Sequence, residues 1–184
     1  PTIMNTQAMP TSPEWFGHPR GLFVCFATEM WERFSFYGMK YLLVLFLVQH
    51  HLFTDGEALR ILGVYSALVY ATPLLGGIVS DRYLGQTHAV KLGGILLVLG
   101  HCAMAFEGIP ASETLGGDIV RDQQAIKVFY FALALIVVGV GLLKPNISTV
   151  VGRLYTDDDP RRDGGFTIFY MGINVGAFTA TLLC

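Results

Sequence analysis

Charged residues are scarce in this chain of 184 residues: Asp, Glu, Lys and Arg together make up 14%, against roughly 25% in an average soluble domain. Apolar residues make up 53%, so the chain has too few polar side chains to cover a water-soluble surface. The formal net charge is −2, and no basic run offers an electrostatic footprint for nucleic acid. The composition therefore indicates a membrane protein and argues against a nucleic acid partner.

Cysteine is also rare, and its placement is uninformative. Cys25, Cys102 and Cys184 each lie in an apolar stretch, and none belongs to a Cys-x-x-Cys pair. Neither a disulfide framework nor a zinc site is therefore available. The five histidines show no pair at the helical spacing of metal ligands. We predict no metal site and no cofactor.

Five apolar runs are long enough to cross about 30 Å of hydrocarbon, which takes roughly 20 helical residues. They cover residues 22–48, 59–80, 89–106, 125–151 and 164–184. We predict an all-α membrane protein with a polar tail over residues 1–19 and a transmembrane bundle over residues 20–184. Because the last run stops without a polar flank, we expect the N-terminal five transmembrane helices of a longer chain, truncated before a sixth helix.

Basic residues are distributed unevenly between the predicted loops. One side of the membrane would carry Arg20, Arg82, Lys91, Arg153, Arg161 and Arg162, and the other Arg60, Arg121 and Lys127. By the positive-inside rule, this bias places the N-terminus in the cytoplasm. The tail lacks a basic start followed by an apolar stretch, so we expect no cleavable secretory signal.

Four charged residues lie inside the first span: Glu29, Glu32, Arg33 and Lys40. Each costs about 2.5 to 3.5 kcal/mol near a helix centre on insertion scales. At 100° per residue they fall, together with Phe36 and Tyr37, within an arc of roughly 140°, so they share one face that cannot point at lipid. Two carboxylates beside a guanidinium can exchange a proton between paired and unpaired states, which indicates a proton-coupled site. A purely structural ion-pair network is the alternative, although packed apolar residues often stabilise a core equally well.

The fourth span carries Lys144 near its middle, directly before Pro145 and Asn146. Proline kinks a helix and frees the carbonyl one turn back, which could face a cavity. About ten apolar or small residues precede Lys144, which is too long a stretch for its side chain to reach the interface. We therefore predict a cation at membrane depth beside a helix bend.

Small residues recur along the spans, and we expect them to allow close helix packing. They are Gly76, Gly77, Gly93, Gly94, Gly100, Gly172 and Gly176. Asn146-Ile147-Ser148 matches a glycosylation sequon, but it lies within a predicted membrane helix and is interpreted as coincidence.

Four segments resemble one transporter family. Residues 29–38, Glu-Met-Trp-Glu-Arg-Phe-Ser-Phe-Tyr-Gly, resemble the first-helix motif Glu-x-x-Glu-Arg-Phe-x-Tyr-Tyr-Gly of the proton-dependent oligopeptide transporters, a branch of the major facilitator superfamily. Residues 77–85 resemble the superfamily's Gly-x-x-x-Asp-Arg-x-x-Gly loop between the second and third helices. Residues 166–178 resemble the family's fifth-helix signature, and Leu143-Lys144-Pro145-Asn146 completes the series. The one departure is Phe36, which lacks the hydroxyl of the usual tyrosine.

The resemblance implies two six-helix bundles that rock around a midplane site, with most of the N-terminal bundle present here. It implies a proton-coupling cluster formed by Glu29, Glu32 and Arg33. It implies substrate contacts from Arg33, Tyr37, Tyr70, Lys144 and Asn174, the two cations attracting a peptide carboxylate. It implies a gating loop that contains Gly77, Asp81, Arg82 and Gly85.

By the same resemblance, the expected function is that of a symporter, not an enzyme, which imports di- and tripeptides with protons by alternating access. Its partners would be the peptide, protons, the lipid bilayer of the plasma (inner) membrane and its own C-terminal bundle. Nitrate or another small anion is an alternative substrate, because Arg33 and Lys144 would accept it as well. A membrane-embedded enzyme would need a metal or nucleophile constellation, and a transport-inactive receptor should tolerate loss of its buried charges.

Overall fold

The computed structural model describes residues 13–184. Its five long helices are α1 Arg20–Gln49, α2 Asp55–Val79, α3 Gln86–Met104, α4 Gln123–Gly152 and α5 Arg162–Leu183. A π-helical turn, Ser80–Leu84, extends α2. Two short antiparallel hairpins complete the described part: β1 Glu14–Trp15 with β2 His18–Pro19, and β3 Ser112–Glu113 with β4 Ile119–Val120. Residues 1–12 of the predicted tail lie outside the described residues.

Four of the helices are long and apolar enough to cross a membrane, namely α2 with its π-helical turn, α3, α4 and α5. Helix α1 has 30 residues but is more charged than the others. Its central charges, Glu29, Glu32 and Arg33, are buried, whereas Val24 and Trp31 on another face are exposed. An apolar face outside and a charged face inside are what a membrane helix around a polar interior requires.

The helices pack mainly in three pairs, α3 with α4, α1 with α5, and α2 with α4. Glycines make these contacts close. A Cβ atom on Gly93 would lie 2.7 Å from the Gly139 carbonyl oxygen of α4, and one on Gly172 would lie 2.9 Å from the Phe26 carbonyl oxygen of α1. Gly76, Gly100 and Gly176 meet neighbouring helices in the same way. The packing role predicted for these glycines is confirmed.

Two glycines of the predicted packing set behave differently. A Cβ atom on Gly77 would make only an ordinary contact, 3.8 Å from Cβ of Pro145, and one on Gly94 would meet no atom of residues 13–184 within 4 Å. The expectation of close packing is therefore wrong for Gly94, because Gly94 borders an open space that is also lined by Thr28 and Trp31 of α1.

Helix α4 lies at the centre of the described bundle and is the most buried of the five helices. Pro145 lies within it, and its ring leaves the Gly141 carbonyl without a helical donor. A carbonyl freed in this way could face a cavity, but this one does not. It points instead at Gly76 of α2, where only a glycine leaves room for it.

One end of the bundle is closed by contacts between two connections. Arg121, which precedes α4, donates to the carbonyl oxygens of His51 at 2.7 Å and Leu52 at 2.9 Å. Its guanidinium also lies 4.5 Å from the centre of the Phe53 ring. The α1–α2 connection is therefore held against the start of α4.

His51 is buried in this corner, and its ring nitrogens have no hydrogen-bond partner within residues 13–184. Burial, followed by the nearby His50 and Arg121, lowers the pKa of His51 below the ordinary histidine value, and Asp122 only partly opposes this effect. The imidazole is therefore held in its neutral form.

Candidate functional site

The charged face of α1 forms a compact buried cluster. Arg33 donates from Nη2 to Oε1 of Glu32 at 2.5 Å, and its Nε donates to the other oxygen of the same carboxylate. The Nε atom also lies 3.7 Å from Oε1 of Glu29. One guanidinium therefore serves two carboxylates, and all three side chains are buried. Lys40, the fourth charge predicted on this face, is half-buried and forms no ion pair within residues 13–184.

The second oxygen of Glu29 differs from the others. Among the described residues, no group donates a hydrogen bond to this buried Oε2 atom. A buried carboxylate oxygen without a donor is costly. This oxygen can accept a proton without breaking any hydrogen bond present in the structure.

Lys144 brings α4 to the same region. It is half-buried, and its Nζ atom lies 5.4 Å from the centre of the Tyr70 ring of α2. The Tyr70 ring in turn lies 6.3 Å from the ring of Phe36, which packs beside Arg33. The nearest cation–π partner of Lys144, Tyr70, is itself 59% exposed. The ammonium group therefore lies between the buried cluster and the open face of the bundle.

Phe36 connects the charged cluster to the aromatic residues of α2. The Arg33 guanidinium lies 5.1 Å from the centre of the Phe36 ring. That ring lies 6.4 Å from the ring of Tyr65 and 6.3 Å from the ring of Tyr70. Phe36 thus provides a packing surface at a position where it can donate no hydrogen bond.

The remaining predicted substrate residues are less closely associated. Tyr37 is half-buried, and its ring lies 5.2 Å from that of Phe36. Asn174 lies on an exposed face of α5, and its side chain donates to the Tyr170 carbonyl of its own helix at 3.4 Å. The structure therefore brings together Arg33, Lys144, Tyr70 and the two glutamates, but shows no contact between Asn174 and this group.

The predicted gating loop coincides with the π-helical turn after α2. Gly85 ends this turn at φ +71°, a backbone conformation that favours glycine, and its N–H donates to the Ser80 carbonyl at 2.7 Å. Asp81 and Arg82 are exposed, and Asp81 accepts from the side chain of Gln86 at 3.2 Å. Gly77 lies one turn earlier, beside Pro145.

Sequence reasoning missed two features of the site. Tyr65 is buried next to the Phe36 ring, and its hydroxyl has no partner within the described residues. Ser80 is also buried, and its Oγ atom lies 2.5 Å from Oδ1 of Asn146. Neither was visible in the sequence, because a tyrosine or serine in an apolar helix carries no periodic signal. Burial of Asn146 agrees with interpreting its sequon as coincidence.

Glu32 and Tyr65 also line a cavity of about 920 Å³ between α1, α3 and α4. Its other walls are mainly apolar, with Met39, Leu97 and Leu143 among them. Glu32 thus borders this cavity directly, whereas Glu29 and Arg33 are not among the residues that line it.

The chain is also similar to proteins that are already known. The family model of the POT family matches residues 87–184, which is more than half of the chain. The chain belongs to the POT family. The resemblance noted in its motifs is therefore confirmed, and its helices form a major-facilitator-type bundle of an integral membrane protein.

Several relatives match this POT chain over nearly its whole length. The "Di-/tripeptide transporter" of Lactococcus lactis subsp. lactis is 43% identical over 182 residues, covering 94% of this chain and 33% of its own. The "Uncharacterized transporter YclF" of Bacillus subtilis is 43% identical over 189 residues, covering 99% and 35%. A crystal structure of a peptide transporter POT in complex with sulfate matches with a TM-score of 0.81 at 43% identity, covering 94% and 33%.

The chain thus spans about a third of the length of the relatives it matches. All three are named as transporters, and two of the names specify peptides. The shared part corresponds to the five helices described above, which contain the charged cluster and Lys144.

Proposed function

We propose that this POT chain is the N-terminal part of a proton-coupled symporter that imports di- and tripeptides by alternating access. The observation that carries this proposal is the buried cluster of Glu29, Glu32 and Arg33 beside Lys144. Four ionisable groups at membrane depth are costly unless they serve a substrate or a proton. The names of the relatives favour peptides over nitrate or another small anion.

The two cations have different states in the structure, and this difference suggests an order of events. The Arg33 guanidinium donates two hydrogen bonds to the Glu32 carboxylate, whereas Lys144 forms no ion pair within the described residues. Lys144 is therefore the cation available to a peptide carboxylate first. Tyr37, Tyr70 and Asn174 would then offer hydrogen-bonding groups to the peptide backbone and termini.

Coupling follows from the shared guanidinium. Protonation of Glu32 would remove one of the two charges that hold Arg33, and protonation of Glu29 would remove the other. A released guanidinium could bind the peptide carboxylate or move as the cavity reorients. Proton binding and peptide binding would then be linked thermodynamically through Arg33.

The remaining assignments belong to the same proposal. Residues 1–19 would lie on the cytoplasmic side, the five helices would be the first spans of the N-terminal bundle, and the membrane would be the plasma membrane. The loop with Gly77, Asp81, Arg82 and Gly85 would gate the cytoplasmic side against a second bundle. The bias of arginine and lysine between the loops supports this orientation.

The deciding experiment is uptake of labelled dialanine into proteoliposomes that contain the intact transporter. We expect accumulation that requires an inward proton gradient and that excess unlabelled dialanine suppresses. Gradient-driven uptake of nitrate without uptake of dialanine would replace peptide by anion as the substrate. Uptake of dialanine that is indifferent to the proton gradient would contradict the coupling.

A further inference from the structure

The hairpin before α1 presents an aromatic tip to the outside. Its two central residues, Phe16 and Gly17, have φ values of +50° and +78°. Phe16 is 93% exposed, and its neighbour Trp15 is 51% exposed. A bulky residue at positive φ has a strained backbone, and such strain points to a functional role of the residue at that position.

The opposite side of the hairpin is firmly attached to the bundle. Arg161, at the start of α5, donates to the Glu14 carboxylate and to the Gly17 carbonyl, each at 2.9 Å. His18 is hydrogen-bonded to the Tyr155 hydroxyl at 2.8 Å. The aromatic tip is therefore held in place by polar contacts behind it and is not a freely moving segment.

The tip lies beside the beginning of a membrane helix. The rings of Trp15 and Phe16 each lie 6.0 Å from the ring of Phe23, in the first turns of α1. One residue further along α1, Val24 is 65% exposed and continues the apolar surface. The surface of the tip is thus continuous with the surface that α1 leaves open.

A cation accompanies the aromatic residues. The Arg20 guanidinium lies 5.2 Å from the centre of the Trp15 ring, and Arg20 is exposed. Aromatic side chains favour the level of lipid headgroups, and an arginine there can bind a phosphate group. Two exposed aromatic rings in water would instead leave a large apolar area unfavourably hydrated.

We propose that Trp15 and Phe16 insert into the headgroup boundary of the bilayer, with Arg20 bound to a phospholipid phosphate. The hairpin then anchors the beginning of α1 and, through Arg161, the beginning of α5 to the same leaflet. This proposal rests on the chain being an integral membrane protein, and it is independent of which substrate is transported.

The test is site-specific spin labelling of the intact transporter in nanodiscs of phosphatidylcholine and phosphatidylglycerol. A nitroxide is placed at Phe16→Cys after replacement of the native cysteines, and its collision rates with oxygen and with a water-soluble nickel complex are compared. Leu115→Cys is the matched control, because Leu115 is equally exposed on a loop at the other end of the bundle, between the acidic Glu113 and Asp118. Val24→Cys provides the reference for a membrane-embedded position.

We expect the label at position 16 to favour oxygen over the nickel complex, as at position 24, and the label at position 115 to favour nickel. Equal nickel access at positions 16 and 115 would show that the tip lies in water and would overturn the proposal. Low access to both reagents would show that protein covers the tip, which overturns it as well.

A photoreactive benzoylphenylalanine at position 16 preserves an aromatic side chain at the tip and gives an independent measurement. Illumination should attach phospholipid to the hairpin peptide, as detected by its mass. Attachment to protein segments alone would again exclude the membrane as the partner.

Discussion

The ammonium group of Lys144 lies 5.4 Å from the centre of the Tyr70 ring, so α4 and α2 meet at a cation–π contact beside the buried cluster of α1. Such a contact contributes about 1 kcal/mol when it is partly desolvated. It holds the Lys144 ammonium group at a defined position.

Replacing Tyr70 separates the role of its ring from that of its hydroxyl. Tyr70→Leu should weaken dialanine binding by roughly five-fold, because about 1 kcal/mol of Lys144 positioning is lost. Tyr70→Phe keeps the ring, so any loss there reports on the hydroxyl alone. Competition against labelled peptide measures both, and Tyr130→Leu, at an exposed position outside the site and the gating loop, should change nothing. An unaffected Tyr70→Leu variant would remove Tyr70 from the site.

Glu32→Gln should uncouple transport from protons. The amide cannot carry the charge that holds Arg33 in the structure, nor can it exchange a proton. We expect gradient-driven accumulation of dialanine to disappear while exchange of internal for external peptide persists. Glu113→Gln, at an exposed loop position, is the control. Retention of full proton-driven accumulation would exclude Glu32 from coupling.

The hydrogen bond between Ser80 and Asn146 should stabilise the contact of α2 with α4. Ser80→Ala leaves the buried Oδ1 atom of Asn146 without its donor, which costs about 1–3 kcal/mol. A double-mutant cycle with Asn146→Ala, followed by thermal unfolding in nanodiscs, isolates the pair. Ser66→Ala, at a half-buried position on the same helix, is the control for the effect of a serine-to-alanine change without this hydrogen bond. Additive effects of the two substitutions would mean that the pair is not coupled.

Two adjacent glycines of α3 provide a matched test of helix packing. Gly93→Ala would place a Cβ atom 2.7 Å from the Gly139 carbonyl oxygen, and such overpacking costs about 1–3 kcal/mol. Gly94→Ala meets no atom within 4 Å and should be neutral or slightly stabilising, since alanine favours helix. Apparent melting temperatures of the two variants should therefore differ in this order. The reverse order would contradict the α3–α4 packing.

His51 should make the corner between α1 and α2 sensitive to acid. Because its pKa is lowered in the folded protein, the unfolded chain binds a proton that the folded chain does not. Stability is therefore complete above the ordinary histidine pKa, about 6.5, and declines as pH falls toward the lowered value. Thermal unfolding between pH 8 and pH 5 should show a smaller decline for His51→Phe than for the unmodified protein. His88→Phe, at an exposed position, should retain the full decline.

Much of this architecture could be predicted because membranes constrain sequences strongly. A continuous apolar run about 20 residues long that crosses lipid must satisfy its backbone within the segment, which only a helix does, and each of the five predicted runs corresponds to a helix in the structure. Charges within such runs, above all Glu29, Glu32 and Arg33, had to face inward, and the structure buries all three. The burial of these charges follows from a single premise, the high free energy of placing a charged side chain in lipid.

Other features could not be predicted, because they depend on which helices become neighbours. The sequence places Lys144 at membrane depth, yet nothing in it shows that the Tyr70 ring lies beneath the ammonium group. The same holds for Ser80 and Asn146, which are 66 residues apart in the chain and 2.5 Å apart in space. The periodicity of apolar residues shows which face of a helix is buried, but it does not show which other helix packs against that face.

The membrane class, the helices, the buried charges and, through its motifs, the family can all be read from the amino-acid order of this chain. Three features require the folded arrangement: Arg33 is held by Glu32 and lies farther from Glu29, the Gly141 carbonyl meets Gly76, and Asn174 stands apart from the cluster. Hydropathy acts on each segment separately, whereas hydrogen bonds and ion pairs depend on distances of a few ångström between segments.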